Sequence, residues 1–310
     1  MAYRCALRAS LLLIAFLVTS GCSVSNMAVD TTAGVLSRAE ASTRRYFDYE
    51  SAGHAAASGI MQLEGLHMVR PENETLMLML TKAYMAYAYG WVSELRELAE
   101  ERVDFELAKH HQQRAYLMYS RARDLAMRVL TQRDERFPQM ARKEPKVFRA
   151  YLEEEFDDAE DDVEPLFWLM MSWSSAINNS ASSDEFVDMP AIRVIAEWVA
   201  VLDEAYEDAG ALVFLGGFAS SYPKQLGGDP ALGKKYFERA LELSGRRNHI
   251  MLLNYATLYA VHAQDRALFV SLLQEILTAG DQGDGHRLSN KVAKRRAERL
   301  LRRTDELFIQ

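Results

Sequence analysis

Apolar residues in this chain recur at helical spacing, and the stretch from Leu212 to Ile276 shows the rule that the rest follows. Leu212, Leu215, Gly216 and Ala219 place a large residue, then a large–small pair, then a small residue on one helical face, and Leu252, Tyr255, Ala256 and Tyr259 repeat that order forty residues later. Between them Gly233, Phe237 and Ala240 stand at i, i+4 and i+7. Small residues let a helix backbone approach its neighbour, and large ones fill the groove beside it. The pattern predicts two successive helical hairpins that cannot bury their apolar faces alone, with an insertion from Ser221 to Pro230 that loosens the period.

The first half reads the same way. Leu36 to Val69 predicts a helix broken near Gly53, with Pro71 and Asn73 as its stop. Leu76 to Val92 is the most apolar helix: Leu76, Leu80, Tyr84, Tyr87 and Trp91 share one face, and Met79, Ala83, Ala86 and Gly90 another. Its expected neighbour is Gln113 to Leu130, where Ala115, Tyr119 and Ala122 repeat the i, i+4, i+7 spacing. Pro165 is expected to open a helix with Leu166, Met170, Trp173 and Ile177 on one side and Trp168, Ser172, Ser175 and Asn179 on the other. Pro190 starts Ala191 to Tyr206, and a basic amphipathic helix, Leu288 to Leu307, ends the chain. That last helix should turn Val292, Ala297, Leu300 and Leu301 inward and Lys291, Lys294, Arg295, Arg299 and Arg302 mostly to solvent. No run alternates strictly with period two, so the expected fold is all-α, a curved array of tetratricopeptide-like helical hairpins forming a single domain over residues 35–310. With 310 residues, 49% hydrophobic and 26% charged, the chain has enough apolar surface for such a core.

The N-terminus has a different design. Arg4 and Arg8 precede an apolar run, Leu11 to Val18, and Thr19-Ser20-Gly21-Cys22 follows, which are the three zones of a secretory signal over residues 1–21. The run falls short of the ~20 apolar residues that a transmembrane helix needs. Small residues before Cys22 resemble a bacterial lipobox, with Thr19 where leucine is usual, so Cys22 is the expected lipidation site and 22–34 a small, polar tether. Cys5 would leave with the signal, and Cys22 would then have no cysteine to pair with. Loss of Arg4 and Arg8 takes the net charge from −8 to −10, which argues against a nucleic-acid partner.

Little in the chain points to catalysis. None of the seven histidines has an i, i+4 partner for a metal pair, and no phosphate loop, nucleophile elbow, Cys–His pairing or cofactor motif is present. An acidic run, Glu153 to Glu164, lacks the Asp-x-Asp-x-Asp-Gly order of a calcium loop and reads as solvated. The aromatic helix is the better candidate for a site, because a helix apolar nearly all round must be covered by protein or face an apolar cavity. Tyr84, Tyr87, Trp91, Trp168 and Asn178, drawn from helix faces, are the candidate ligand-binding residues; no catalytic or metal-binding residue is assigned.

Several stretches in order resemble the T component associated with tripartite ATP-independent periplasmic (TRAP) transporters, the TatT family. They are Lys82-Ala83-Tyr84-Met85-Ala86-Tyr87-Ala88-Tyr89-Gly90, Arg121-Ala122-Arg123-Asp124, Leu166-Phe167-Trp168 with Trp173 and Ile177-Asn178, Gln264-Asp265-Arg266-Ala267-Leu268-Phe269, and Leu288-Ser289-Asn290 with Arg295-Arg296-Ala297. The resemblance implies a non-enzymatic periplasmic lipoprotein that forms a homotrimer and docks with the substrate-binding P subunit of a TRAP transporter. It also implies a cavity or pore suited to a small hydrophobic or organic-acid ligand, and a membrane attachment through the N-terminal lipid. Two other readings remain open at this stage: a lipoprotein scaffold for outer-membrane protein assembly, and an α-helical periplasmic enzyme.

Overall fold

A computed structural model describes residues 24–224, 227–283 and 285–308. The described chain is 82% helical and contains no strand, so the all-α expectation holds. A first helix, α1, covers residues 24–44. It is followed by α2 (Tyr49–Val69), α3 (Glu74–Tyr87), α4 (Ser93–Glu101), α5 (Phe105–Arg133), α6 (Phe137–Met140), α7 (Pro145–Glu155) and α8 (Ala159–Asn179). The second half holds α9 (Met189–Leu202), α10 (Tyr206–Ser221), α11 (Pro230–Ser244), α12 (His249–Asn254), α13 (Arg266–Thr278), α14 (Arg287–Arg302) and α15 (Thr304–Leu307). Wide π turns, Ala88–Val92 and Tyr255–Ala260, continue α3 into α4 and extend α12.

Asparagine and aspartate set the helix starts. Asp48, Asn73, Asp104, Asp158, Asp229, Asn248 and Asp265 each accept a hydrogen bond from a backbone N–H in the first turn of the helix they precede, satisfying donors that have no intrahelical partner. The hairpins then stack through small residues. A Cβ on Gly233 would lie 2.9 Å from the Gly216 carbonyl oxygen, and one on Gly216 would lie 2.9 Å from the Phe237 ring, so α10 and α11 meet backbone to backbone as the spacing predicts. One continuous core runs from Ala126 to Phe308, and smaller clusters lie under α2, α3 and α5.

Five expectations are corrected. Residues 24–34, read as a tether, are helical, and Val29 and Ala33 are buried against Leu63, Leu66 and Leu76. The break expected near Gly53 falls at 45–48 instead, while Gly53 sits inside α2, where a Cβ would come within 2.7 Å of Trp91. The acidic run is largely exposed, as expected, but it forms the end of α7 and the start of α8 rather than a loop. Asp158 caps α8, and Glu160, Asp161 and Asp162 sit at its N-terminus, where the helix dipole favours negative charge. Pro165 therefore lies within α8 rather than opening it. Proline has no N–H to give to the carbonyl four residues back, at Asp161, and Arg133 donates to that oxygen instead (2.8 Å). The fifth correction concerns α14, where Arg296 and Arg299 are buried rather than solvated.

Candidate functional site

The Tyr84–Trp91 stretch folds as a helix that widens into a π turn, and the turn brings its aromatics against α2. Trp91 stacks on Tyr49 (centroids 5.2 Å apart, 22° between planes) and on Tyr87 (5.9 Å, 23°), and its indole Nε1 donates to the Tyr49 carbonyl (3.2 Å). Such a stack requires a residue with no side chain at Gly53. Tyr84 is held on the other side, its hydroxyl donating to Glu64 Oε1 (2.9 Å) while Arg121 grips both Glu64 oxygens (2.9 and 2.8 Å). Burial, with the Glu64 hydrogen bond, pushes the Tyr84 hydroxyl up to about 12.

Trp168 reaches the same surface from α8. With Tyr84, Tyr87, Met118 and Met171 it packs half-buried on a small cluster formed by Met85, Ala88, Val92, Ala115, Tyr119, Ala122 and Ala176. Its ring meets Phe167 edge-on (5.2 Å), which in turn meets Tyr206 (5.2 Å). The Trp168 Nε1 is buried with no acceptor in hydrogen-bonding geometry, although the Tyr206 hydroxyl is close enough to feel it. The structure thus brings Tyr84, Tyr87 and Trp168 together and joins Trp91 through the Tyr87 stack. Asn178 does not join them: it is exposed on the last turn of α8, ten residues or roughly 15 Å beyond Trp168.

Charges surround the aromatics in pairs that the sequence pattern does not show. Lys82 bridges Glu40 of α1 (3.0 Å) and Glu164 of α8 (2.5 Å). Beside them, Glu207, Asp208 and Ala209 at the start of α10 all adopt positive φ (46°, 59° and 63°), a conformation that costs a non-glycine residue roughly 1–2 kcal/mol. Neighbours hold that turn in place. Arg44 donates to both Glu207 oxygens (3.0 and 2.5 Å), Asn248 to Asp208 (2.9 Å), Ala209 is fully buried, and Gly210 leaves room for the Phe167 ring. No periodicity in the sequence signals such a turn, since of its three residues only Asp208 is of a type that readily adopts it.

The basic face of α14 closes the other side of the Tyr49–Trp91 stack, contrary to the solvated reading. Arg299 is 7% exposed and Glu94, which it meets at 2.6 Å, is 6% exposed; Arg299 also contacts Glu97 (2.5 Å) and Glu101 (3.2 Å). Arg295 pairs with Glu94 (2.9 Å) and lies over the Tyr49 ring (4.3 Å). Buried Arg296 donates to the Tyr89 carbonyl (2.7 Å) and lies over its ring. Tyr49 completes the network through its hydroxyl, which reaches the Gly90 carbonyl (2.6 Å) and the Glu94 carboxylate. Burial raises the Glu94 carboxyl, but the Tyr49 hydrogen bond and the charges of Arg295 and Arg299 more than reverse this and leave it below the usual carboxylate range. Only Lys291 and Arg302 of the expected outward set are exposed; Lys294 is half-buried on the Ala279 carbonyl (2.7 Å). An amphipathic reading misses this because each arginine faces a specific carboxylate on α4, not an apolar stripe.

What these groups offer is π surface, one buried indole donor and a ring of already paired charges. Among the described residues no group of three or more His, Cys, Asp or Glu side chains converges to hold a metal ion, and no helix is long and apolar enough to cross a membrane. Two open clefts lie elsewhere: one of about 450 Å³ between α11 and α13, lined by Lys234, Glu238, Leu241, Tyr255 and Leu268 among others, and one of about 320 Å³ at Pro138–Lys143. A comparison with curated proteins finds no match. A family model described as the TRAP transporter T-component matches residues 47–308, from the cap of α2 to the end of the described chain. The helical array from α2 onward, the aromatic surface on α3 and α8, and the α14 closure all fall inside that match, and the chain belongs to the TRAP transporter T-component family.

Proposed function

We propose that this T-component is a lipid-anchored periplasmic subunit that associates with the substrate-binding P subunit of a TRAP transporter and binds or hands over a small hydrophobic or organic-acid solute. Family membership supplies the transporter role, that of a transport accessory rather than of an enzyme family. The observation that carries the ligand reading is the half-buried aromatic surface of Tyr84, Tyr87, Trp91 and Trp168, with the buried Trp168 indole N–H beside the Tyr206 hydroxyl. Aromatic faces suit an apolar body, and a buried N–H suits a carboxylate or carbonyl that replaces the water it would otherwise seek.

The anchor is assigned to Cys22, which with the signal 1–21 lies outside the described residues. The hairpin stack supports a tetratricopeptide-like architecture, and the protein is proposed to act as a homotrimer. Mass spectrometry of compounds released from the purified protein by denaturation tests the ligand. Wild-type protein should release an apolar acid or lipid that Trp168→Ala retains poorly. Equal recovery from both would move the site away from Trp168. Crosslinking in membranes with the P subunit present tests the partner, and capture of β-barrel assembly proteins with no extractable solute would replace the reading by an assembly scaffold. Light scattering at three times the monomer mass would support the trimer, and a monomer would remove it.

A further inference from the structure

The end of the domain nearest the anchor differs from the rest of the surface. The described part of helix α1 reaches back to Val24, only two residues after Cys22, and two residues of chain reach no further than about 7 Å. Bidentate pairing of Arg70 with Asp30 (3.0 and 3.0 Å) places the end of α2 beside the start of α1. At this shared tip four apolar side chains face outward: Val24 and Met27 of α1 (60% and 65% exposed), and Met68 and Val69 of α2 (83% and 49%). From Ser23 to Val29 the chain carries no charge. The charges that do lie here are engaged. Asp30 also accepts from Asn73 (2.7 Å), and Glu72 is taken by Arg128 and Gln132.

We propose that this tip rests directly on the phospholipid bilayer that holds the Cys22 acyl chains, so that the domain sits on its membrane without an intervening tether. The inference rests on the lipidation proposed above. An anchor within about 7 Å of Val24 leaves the folded tip no means of standing clear of the lipid headgroups. Unbranched methionines adapt to a disordered apolar surface, and amphipathic structures at this boundary sink about 5–10 Å, enough to cover all four side chains. Mutually neutralised Arg70–Asp30 and Glu72–Arg128 pairs lower the cost of approaching the low-dielectric layer. Of the other exposed apolar pairs, which include Tyr46 with Phe47 and Phe186 with Val187, Val103 and Phe105 are bracketed by Glu100, Glu101, Arg102, Asp104 and Glu106 and lie at the far end of α5. Gln132 of α5 touches the tip at Glu72, so Phe105 is about 40 Å away by helix rise.

The test uses the full chain, processed in a bacterium that acylates lipoproteins and reconstituted into phosphatidylethanolamine–phosphatidylglycerol vesicles. Cys5 leaves with the signal and the Cys22 thiol is acylated, so a fluorophore on Met27→Cys, Met68→Cys, Met61→Cys or Phe105→Cys is unique. Lipids carrying a quencher near the headgroup should remove most of the emission at 27 and 68. They should remove less at 61, about 10 Å further along α2, and none at 105. Unquenched labels at 27 and 68 in a protein whose intact mass shows acylation and which floats with the vesicles would overturn the resting tip while leaving the anchor. Quenching at 105 instead would overturn it by reversing the orientation. A protein of unacylated mass that stays in solution would sink the anchor and the tip together.

Discussion

The helix contact between α10 and α11 predicts opposite signs for the same substitution at two glycines. At Gly233 a Cβ would stand 2.9 Å from the Gly216 carbonyl oxygen and 3.1 Å from the Ser220 nitrogen, both backbone atoms that no rotamer change can move. Gly233→Ala must push the two helices apart. Phe237, which fills the groove beside them, is 1% exposed and stacked on Tyr255 (4.9 Å), so it cannot absorb the shift. Overpacking of this kind costs up to ~3 kcal/mol, alanine's helix preference returns at most ~1 kcal/mol, and the net is a loss of about 2 kcal/mol. Gly59, in the middle of α2, has nothing within 4 Å of its missing Cβ. There Gly59→Ala keeps only the gain, ~1 kcal/mol. Equilibrium denaturation should therefore separate the two variants by about 3 kcal/mol with an unchanged m-value, the wild type lying between them. A Gly233→Ala midpoint at or above that of the wild type, while Gly59→Ala rises as expected, would refute the close backbone approach.

Three further outcomes follow from the charged contacts. Glu94→Gln keeps the shape but leaves buried Arg299 with Glu97 and Glu101 alone, and should cost about 2–3 kcal/mol in a thermal or denaturant melt; an unchanged melt would mean that the cluster does not hold α14. Arg133→Met removes the donor to the Asp161 carbonyl and the partner of buried Asp162 (2.8 Å), and should destabilise by about 1–3 kcal/mol, whereas a fully stable variant would deny any compensation for Pro165. For pH the signs agree. Burial holds the His67 and His249 imidazoles below their usual value, and the neutral forms contribute stability that is lost as pH falls below about 6.5. Glu64, held down chiefly by Arg121, Glu94 by Tyr49 and the arginines, and Asp134, held at about 2 chiefly by Arg136, add stability that is present above about pH 4 and lost below it. Denaturant midpoints should be flat near neutrality and fall in two stages on acidification; a midpoint that rises between pH 6.5 and 5 would contradict the assignment.

Local chemistry made much of this fold legible. Pro190 at the start of α9 and the large–small pairs of α10 to α12 act within a turn or two of the chain, so reading them needs no knowledge of what packs where. The aromatic surface was half legible: Tyr84, Tyr87 and Trp91 share a helical face by spacing, while Trp168 was named from its own helix and met them only in three dimensions. Gly53 misled because a glycine inside a helical pattern looks like a break, and its reason is an indole 38 positions later. Asn178, also drawn from a helix face, stands exposed on the last turn of α8, away from the aromatic surface.

By itself, then, the sequence determined the all-α class, most of the longer helices and several of the small residues that let them touch, because each depends on interactions within a few residues. Only the tertiary structure decided that Arg295, Arg296 and Arg299 turn inward to Glu94 and Glu97, some 200 positions away, and that Arg44 holds a left-handed turn at Glu207. A charged side chain is at home in water or in a buried pair, and helical periodicity is the same in both cases. Which of the two applies depends on whether an opposite charge waits across the interface, and that is a property of the packing alone.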